Sequence, residues 1–408
     1  MCGRREFWSG GFPKRFDRFV RGELFCLLMN HRILLTACLF AGSCVSAPAE
    51  EGQARKIRTK SEVVEVIRRV NDHWQETNPR HGNAFWNRAV YHVGNMAAYD
   101  VTGEQDYLRF SEAWARHNDW KGAKSNRKKE WRYTYGESDQ FVLFGDWQAC
   151  FQVYMELYKV EKQERKIARA KEVMSYQITT PAEDYIWWSD GLFMIMPTMS
   201  ELYRITGEEA YLTKLRAYFN FARDLMFDEE SGLFFRDAKY IYPKHKSANG
   251  MKDFWARGNG WVFAALPMVI DDLPKGHADA EHYLSIYKAM AKALAESQQA
   301  EGYWTRSILD PAHAPGPETS GTAFFTYGYL WGLRRGVLDK ATYQPVTEKA
   351  WDFLMNTSLQ GDGAVGYIQP IGEKAIPGQV VDASSTADFG VGAFLLAAAE
   401  MARYASGE

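Results

Sequence analysis

The chain has 408 residues and a formal net charge of −2, with 49 Lys and Arg against 51 Asp and Glu. That length holds one large domain or two ordinary ones, and the charge balance lacks the basic face expected of a nucleic-acid partner. Aromatic content is high at 15%, including 14 Trp and 22 Tyr; such rings fill cores and also stack on sugar faces, so core packing and carbohydrate binding both stay open.

In chain order, residues 1–28 are basic and without pattern, and read as a gene-model extension. Met29-Asn30-His31-Arg32 then precedes an apolar run from Ile33 to Gly42 and the small-x-small ending Val45-Ser46-Ala47. This predicts a secretory signal peptide over 29–47, too short to span a membrane, and export to the periplasm or beyond the cell. A membrane anchor, or a lipid anchor on Cys44, is the weaker reading, because Phe40-Ala41-Gly42-Ser43 matches a lipoprotein box poorly. Four of the five Cys fall in this region, so Cys150 alone remains. No disulfide can form within the mature chain, and Cys150 is expected in the core.

Residues 56–408 read as one domain, since no Pro- or Ser-rich linker follows residue 55. Thr102-Gly103-Glu104-Gln105-Asp106-Tyr107-Leu108 recurs 104 residues later as Thr206-Gly207-Glu208-Glu209-Ala210-Tyr211-Leu212. Helical patterns open near Phe85-Trp86, Asp146, Trp187-Trp188, Trp261, Phe324 and Phe394. Six openings spaced roughly 45–70 residues apart fit a repeated αα-hairpin. The predicted fold is therefore all-α, an (α/α)6 barrel with loops around a cleft at one end; a solenoid would show shorter, more uniform repeats. Short alternating stretches such as Leu233-Phe234-Phe235-Arg236-Asp237 predict small hairpins inside loops.

Candidate chemistry sits at the openings. Gly145-Asp146-Trp147 and Trp187-Trp188-Ser189-Asp190-Gly191 each place an Asp beside Trp near a helix start. An Asp there is ordinarily an N-cap. Asp190 lies among bulky apolar residues, where desolvation raises a carboxyl toward acid–base use. Asp139 and Asp184 read as loop residues. Arg257 and Trp261, four apart in Phe254-Trp255-Ala256-Arg257-Gly258-Asn259-Gly260-Trp261, can share a helix face, the Arg for a substrate carboxylate and the Trp for a sugar ring. An internal Arg–carboxylate tie fits as well. Glu318, before Thr319-Ser320-Gly321-Thr322, is either structural or cleft-lining. No metal spacing, phosphate loop or Gly-x-Ser-x-Gly elbow is present, so no metal or cofactor is expected. No stable protein partner is inferred, and the oligomeric state stays open.

These segments, taken together and in order, resemble the unsaturated rhamnogalacturonyl hydrolases and the related unsaturated glucuronyl hydrolases. The resemblance covers roughly residues 60–405: Asp146, Gln148, Gln152 and Tyr154; the Trp187–Met194 segment; Arg236-Asp237; Trp255–Trp261; Glu318–Ala323; and Gly390–Ala397. It implies the (α/α)6 barrel and removal of a 4,5-unsaturated uronate left by a polysaccharide lyase, most directly on rhamnogalacturonan fragments. The reaction it implies is hydration of the carbon 4–carbon 5 double bond, so the ordinary two-carboxylate scheme is not imposed. Asp190 matches the family's general acid/base, Asp146 the second aspartate, and Arg257 and Trp261 the substrate-contacting pair. Arg236 stands where some members have His, and Trp147 where many carry a second Asp; with Trp188 and Glu318 they complete the expected substrate contacts. The alternatives are an unsaturated glucuronyl hydrolase acting on ulvan or glycosaminoglycan fragments, a conventional (α/α)6 glycosidase, lyase or epimerase, and a non-catalytic glycan-binding toroid.

Overall fold

A computed structural model describes residues 58–407; the expected signal peptide and gene-model extension lie outside them. Twelve α-helices occur among the described residues: α1 (Lys60–Thr77), α2 (Trp86–Thr102), α3 (Gln105–His117), α4 (Cys150–Val160), α5 (Ala168–Thr179), α6 (Ser189–Thr206), α7 (Ala210–Met226), α8 (Ala256–Asp272), α9 (Ala278–Ser297), α10 (Thr319–Arg334), α11 (Lys340–Phe353) and α12 (Asp388–Ser406). The even-numbered helices form a ring. Each packs on the next, and α12 returns to pack on α2. The odd-numbered helices stand outside it: α3 on α2, α7 on α6, α9 on α8, α11 on α10, and α1 on α12. This is the (α/α)6 barrel expected from the repeat. The last hairpin pairs the first helix with the last, so the ring closes across the chain's two ends.

Side-chain pattern decides which helix goes inside. α12 is buried without interruption from Phe389 to Ala402, and α10 from Thr319 to Leu333. An all-round apolar helix has to be wrapped on every side. α3 buries only Tyr107, Ser111, Trp114 and Ala115, one stripe of an amphipathic outer helix. Closure of the ring demands close backbone approach where α2 meets α12. A Cβ on Gly94 would lie 2.3 Å from the Gly392 carbonyl oxygen, and one on Gly392 would lie 2.2 Å from that of Val90.

The repeated Thr-Gly-Glu is a helix stop. Gly103 and Gly207 adopt φ of 74° and 75°, the left-handed C-cap that glycine takes without a Cβ penalty. In each copy the Thr hydroxyl donates back into the helix and accepts the backbone N–H of the Glu, at 3.2 Å for both Glu104 and Glu208. The stretch at Leu233-Phe234 does form a short strand, β2 (Leu233–Phe234), antiparallel to β1 (Phe227–Asp228). Cys150 is a buried free thiol in the core, donating to Trp147 O at 3.3 Å.

At the C-terminal ends of the inner helices a cavity of about 380 Å³ opens among Asp100, Glu201, Arg204, Asp271, Asp272 and Arg403. Its charges are paired: Arg204 with Glu201 and Asp272, Arg403 with Asp100 and Glu400. Burial, and then the neighbouring Glu201, push the Asp272 carboxyl up to about 7, against donors from Ser200 and Arg204. A carboxyl raised in the folded state contributes stability that is whole below its unfolded value of 3.8 and is lost as pH rises through about 7. The melting temperature should therefore decline across that window, and Asp272→Asn should flatten the decline. Parallel curves for the two proteins in a pH-resolved melting series would refute this.

Candidate active site

The opposite ends of the inner helices carry the residues singled out in the sequence. α6 begins with Ser189 and holds Asp190 in its first turn; its N-cap, Trp188, makes no side-chain cap bond. Asp146 lies in the single turn Gly145–Trp147 ahead of α4, again with no capping bond. Neither carboxylate is used as a helix cap. The Trp188 ring is wedged between the two segments, 3.0 Å from a Cβ built on Gly145 and 3.1 Å from one on Gly191. It is 2% exposed, so it is a spacer between the aspartates and presents no face for stacking on sugar.

The two carboxyls differ in their surroundings. Ser189 Oγ donates to Asp190 Oδ2 at 3.1 Å, and Arg236 Nε lies 3.7 Å from the same oxygen. Burial raises the Asp190 carboxyl, while Arg236 and then Arg257 work against the rise. Asp146 accepts no hydrogen bond among the described residues. Burial pushes it well above the usual carboxylate range, the Asp190 charge pushes further, Arg236 opposes, and Glu137 adds to the rise. Low dielectric and a like charge both disfavour ionisation, so the pair resists losing its last proton.

Backbone ties assemble this end of the barrel. Ser189 N–H donates to Arg236 O at 2.8 Å, Ala256 N–H to Arg306 O at 2.9 Å, and Thr319 N–H to Tyr367 O at 2.8 Å. In three successive hairpins the first residue of the inner helix thus pins the loop that follows. The first tie sets Arg236 beside Asp190, at the position where some relatives of the resembled family carry His.

Four expected substrate contacts occupy other roles. Arg257 is 1% exposed, its guanidinium 4.6 Å from the ring centroids of both Trp255 and Phe389. It donates to Gln369 O at 2.7 Å and Pro370 O at 2.9 Å, so its fork is spent on the backbone of the 367–382 loop. Burial lowers it to about 10. Trp261 is fully buried against Trp86, Phe193 and Phe324 and offers no free ring face. Trp147 Nε1 donates to Gly136 O at 3.2 Å, and its ring packs on Phe85, so it shapes the pocket through the 133–137 loop. Glu318 is a buried clamp. Its carboxylate accepts Ser320 N at 3.0 Å, Ser320 Oγ at 2.6 Å, Gly321 N at 2.7 Å and Gln369 N at 3.1 Å, and lies 4.0 Å from Arg257. The physical reason in each case is the same: wrapping the inner helices leaves these positions no solvent face.

Residues that the sequence reading passed over reach the site instead. Tyr135 is 63% exposed, its ring against Phe144 and its hydroxyl 3.0 Å from Glu137 Oε1. Phe144 packs in turn on Trp187 and Trp188. Tyr240, Lys239 and Glu373 gather at Arg236. All are isolated letters in irregular loops, without a periodic signal.

Replacing Glu318 with Ala should strip four donors and the buried Arg257 of their partner. The expected loss is about 3–5 kcal/mol of unfolding free energy in urea titration. A loss below about 1 kcal/mol would mean that the clamp contributes no more than an ordinary hydrogen bond.

A family model described as Glycosyl Hydrolase Family 88 matches residues 58–405. Two curated relatives are both named unsaturated 3S-rhamnoglycuronyl hydrolase. The one from Alteromonas sp. (strain LOR) is 41% identical over 214 residues, which is 52% of this chain and 50% of that protein, so the match spans half the relative's length. The one from Formosa agariphila is 29% identical over 381 residues, 90% of this chain and 97% of that protein. A solved structure named as a polysaccharide lyase is similar at 59% identity and a TM-score of 0.83, covering 85% of this chain and 98% of that one.

Proposed function

This chain belongs to glycosyl hydrolase family 88, and from that premise we propose that it removes a 4,5-unsaturated uronic acid from the non-reducing end of oligosaccharides left by a lyase. The observation that carries the reading is the pair of uncapped carboxyls, Asp146 buried and Asp190 part-buried, both shifted toward the protonated form. The double bond of the unsaturated uronate is a vinyl ether. Protonation at carbon 4 places positive charge on carbon 5 and the ring oxygen. Water adds at carbon 5, and the resulting hemiketal opens and releases the neighbouring sugar. The chemistry therefore needs an acid that keeps its proton near neutrality and a carboxylate that orients water. We assign the first role to Asp190, whose oxygen faces Ser189 and Arg236, and the second to Asp146. One proton shared between the two carboxyls serves both, since their like charges favour a singly protonated pair.

Both curated relatives are named for a rhamnoglycuronyl substrate, which supports an unsaturated uronate linked to rhamnose as the first substrate class. Rhamnogalacturonan fragments, ulvan fragments and glycosaminoglycan fragments differ in the sugar next to the uronate. A second reading, eliminative cleavage, is favoured by the name of the 59% identical structure. One measurement separates them. The ultraviolet absorbance of the conjugated uronate is followed on lyase digests of rhamnogalacturonan, ulvan and chondroitin, and on the parent saturated glycans. Decay with one digest supports hydration and identifies the neighbouring sugar. Growth of absorbance on a saturated glycan supports elimination and removes the hydrolase reading.

If Asp190 delivers the proton, activity requires the protonated pair. It is then present below the raised carboxyl pKa and lost as pH climbs through it. kcat/KM should fall on the alkaline side, and Asp190→Asn should abolish turnover with little change in melting temperature. A level pH profile, or a turning-over Asp190→Asn enzyme, would take Asp190 out of the mechanism.

A further inference from the structure

Beside Asp190 lies a second charged cluster, built around Arg236. Arg236 is nearly buried, donates to Asp237, and keeps a buried Nε–H without a hydrogen-bond partner. Asp237 also accepts the Lys239 backbone N–H at 2.7 Å, which holds the turn rigid. Around the rim of this turn Arg236, Lys239 and Tyr240 all face one carboxylate of the same chain, Glu373. Its Oε2 lies 3.5 Å from the Arg236 guanidinium and 3.7 Å from Lys239 Nζ, and the same carboxylate acts on the nearby Tyr240 phenol, helping burial to push it up. Burial alone would raise the Glu373 carboxyl; Tyr240, Arg236 and Lys239 together outweigh it and hold the group below its ordinary value.

Glu373 is carried by a loop that is anchored on both sides of its tip. Arg257 binds the Gln369 and Pro370 carbonyls, and Arg306 Nη1 binds Gln379 O at 2.8 Å. Between these anchors Ile371 is 64% exposed and Ile376 36%. The tip is also tied from within, with Gln369 Nε2 donating to Lys374 O at 3.0 Å and Ala375 buried, so releasing Glu373 asks for a side-chain movement and leaves the loop backbone in place. A guanidinium, an ammonium and a phenol converging on one oxyanion are a receptor for a carboxylate or a sulfate ester. The chain has filled that receptor with its own carboxylate, next to the carboxyl assigned as the acid.

We propose that Arg236, Lys239 and Tyr240 form an anion subsite for the sugar substrate, and that Glu373 is an internal stand-in which the substrate's oxyanion displaces. The subsite deepens the proposed function and rests on it for the identity of the sugar. The oxyanion is either the carboxylate of the reacting uronate or a sulfate ester on its neighbour; both are single oxyanions of the size the receptor now holds. Displacement costs affinity in proportion to the time Glu373 spends seated, because only the vacated fraction of the protein can bind.

The first test uses inorganic sulfate as probe and needs no turnover. The rise in melting temperature with sodium sulfate is compared with sodium chloride at matched ionic strength. Glu373→Gln should bind sulfate about tenfold more tightly than the unsubstituted chain, as expected if the stand-in is seated nine-tenths of the time. Adding Lys239→Ala, a change at a side chain 66% exposed, should reverse that gain. Equal sulfate response in the unsubstituted and Glu373→Gln proteins, or a gain indifferent to Lys239→Ala, would overturn the subsite. The second test measures KM of the Lys239→Ala enzyme on unsaturated disaccharides with and without a sulfate ester on the neighbouring sugar. A rise confined to the sulfated substrate assigns the subsite to sulfate, and an equal rise on both assigns it to the uronate carboxylate. No rise on either would overturn the proposal. Failure of every unsaturated substrate to react would sink the hydrolase reading alone, and the sulfate titration would still judge the subsite.

Discussion

Everything at the active end depends on the closure of the inner ring. Inner helices such as α10 and α12, buried on all sides, leave no alternative to mutual wrapping, and α12 must return to α2. The backbone contact of Gly94 with Gly392 permits that return at a distance no side chain would allow. Once the ring is closed, the N-terminal ends of its helices converge. Asp146, Asp190, Arg257 and Glu318, more than 170 residues apart at the extremes, are brought to one end of one barrel.

Convergence alone would give a crowded apolar funnel; the loops make it chemical. Backbone donors at Ser189, Ala256 and Thr319 each pin the loop of their own hairpin over the funnel. The buried ions at this end then divide into two groups. Glu318 and the terminal nitrogens of Arg257 are bonded to internal partners and hold the 367–382 loop in place, with Arg257 Nε alone left unpaired. Asp146 is left without a donor, and Asp190 with only a serine hydroxyl and an arginine beyond hydrogen-bond distance. A buried carboxyl without a donor is costly to a fold, and a fold that retains one coupled electrostatically to a part-buried, sparsely bonded second concentrates protonation chemistry there. The internally bonded ions provide the rigidity that the sparsely bonded ones require.

Charge is arranged differently at the two ends of the barrel. At the C-terminal ends of the inner helices carboxylates and guanidinium groups alternate and neutralise one another. At the other end the cations of Arg236 and Lys239 meet the Glu373 carboxylate from the tip of the 367–382 loop. The first arrangement closes a surface. The second leaves a cationic patch whose partner can be exchanged, which suits an anionic sugar.

The sequence by itself determined the helical class, the six-hairpin count and the helix stops, because these depend on local periodicity and on backbone preferences such as the left-handed glycines at 103 and 207. It also marked Asp146 and Asp190, since a carboxylate among tryptophans departs from the local pattern. Arg257, Trp261, Trp147 and Glu318 carry the residue types of a sugar site, and the sequence left an internal tie open for Arg257 and a structural role open for Glu318; their side chains are buried or committed to the backbone. Partner choice for an Arg or a Glu is settled by which carbonyls and amides arrive from distant loops, here Gln369 and Pro370. Only the tertiary structure decided that. The arrival of Glu373 at the Arg236–Tyr240 turn was likewise its decision: the turn is local and held by Asp237, but irregular loops have no period from which the approach of a residue more than 130 positions away can be read.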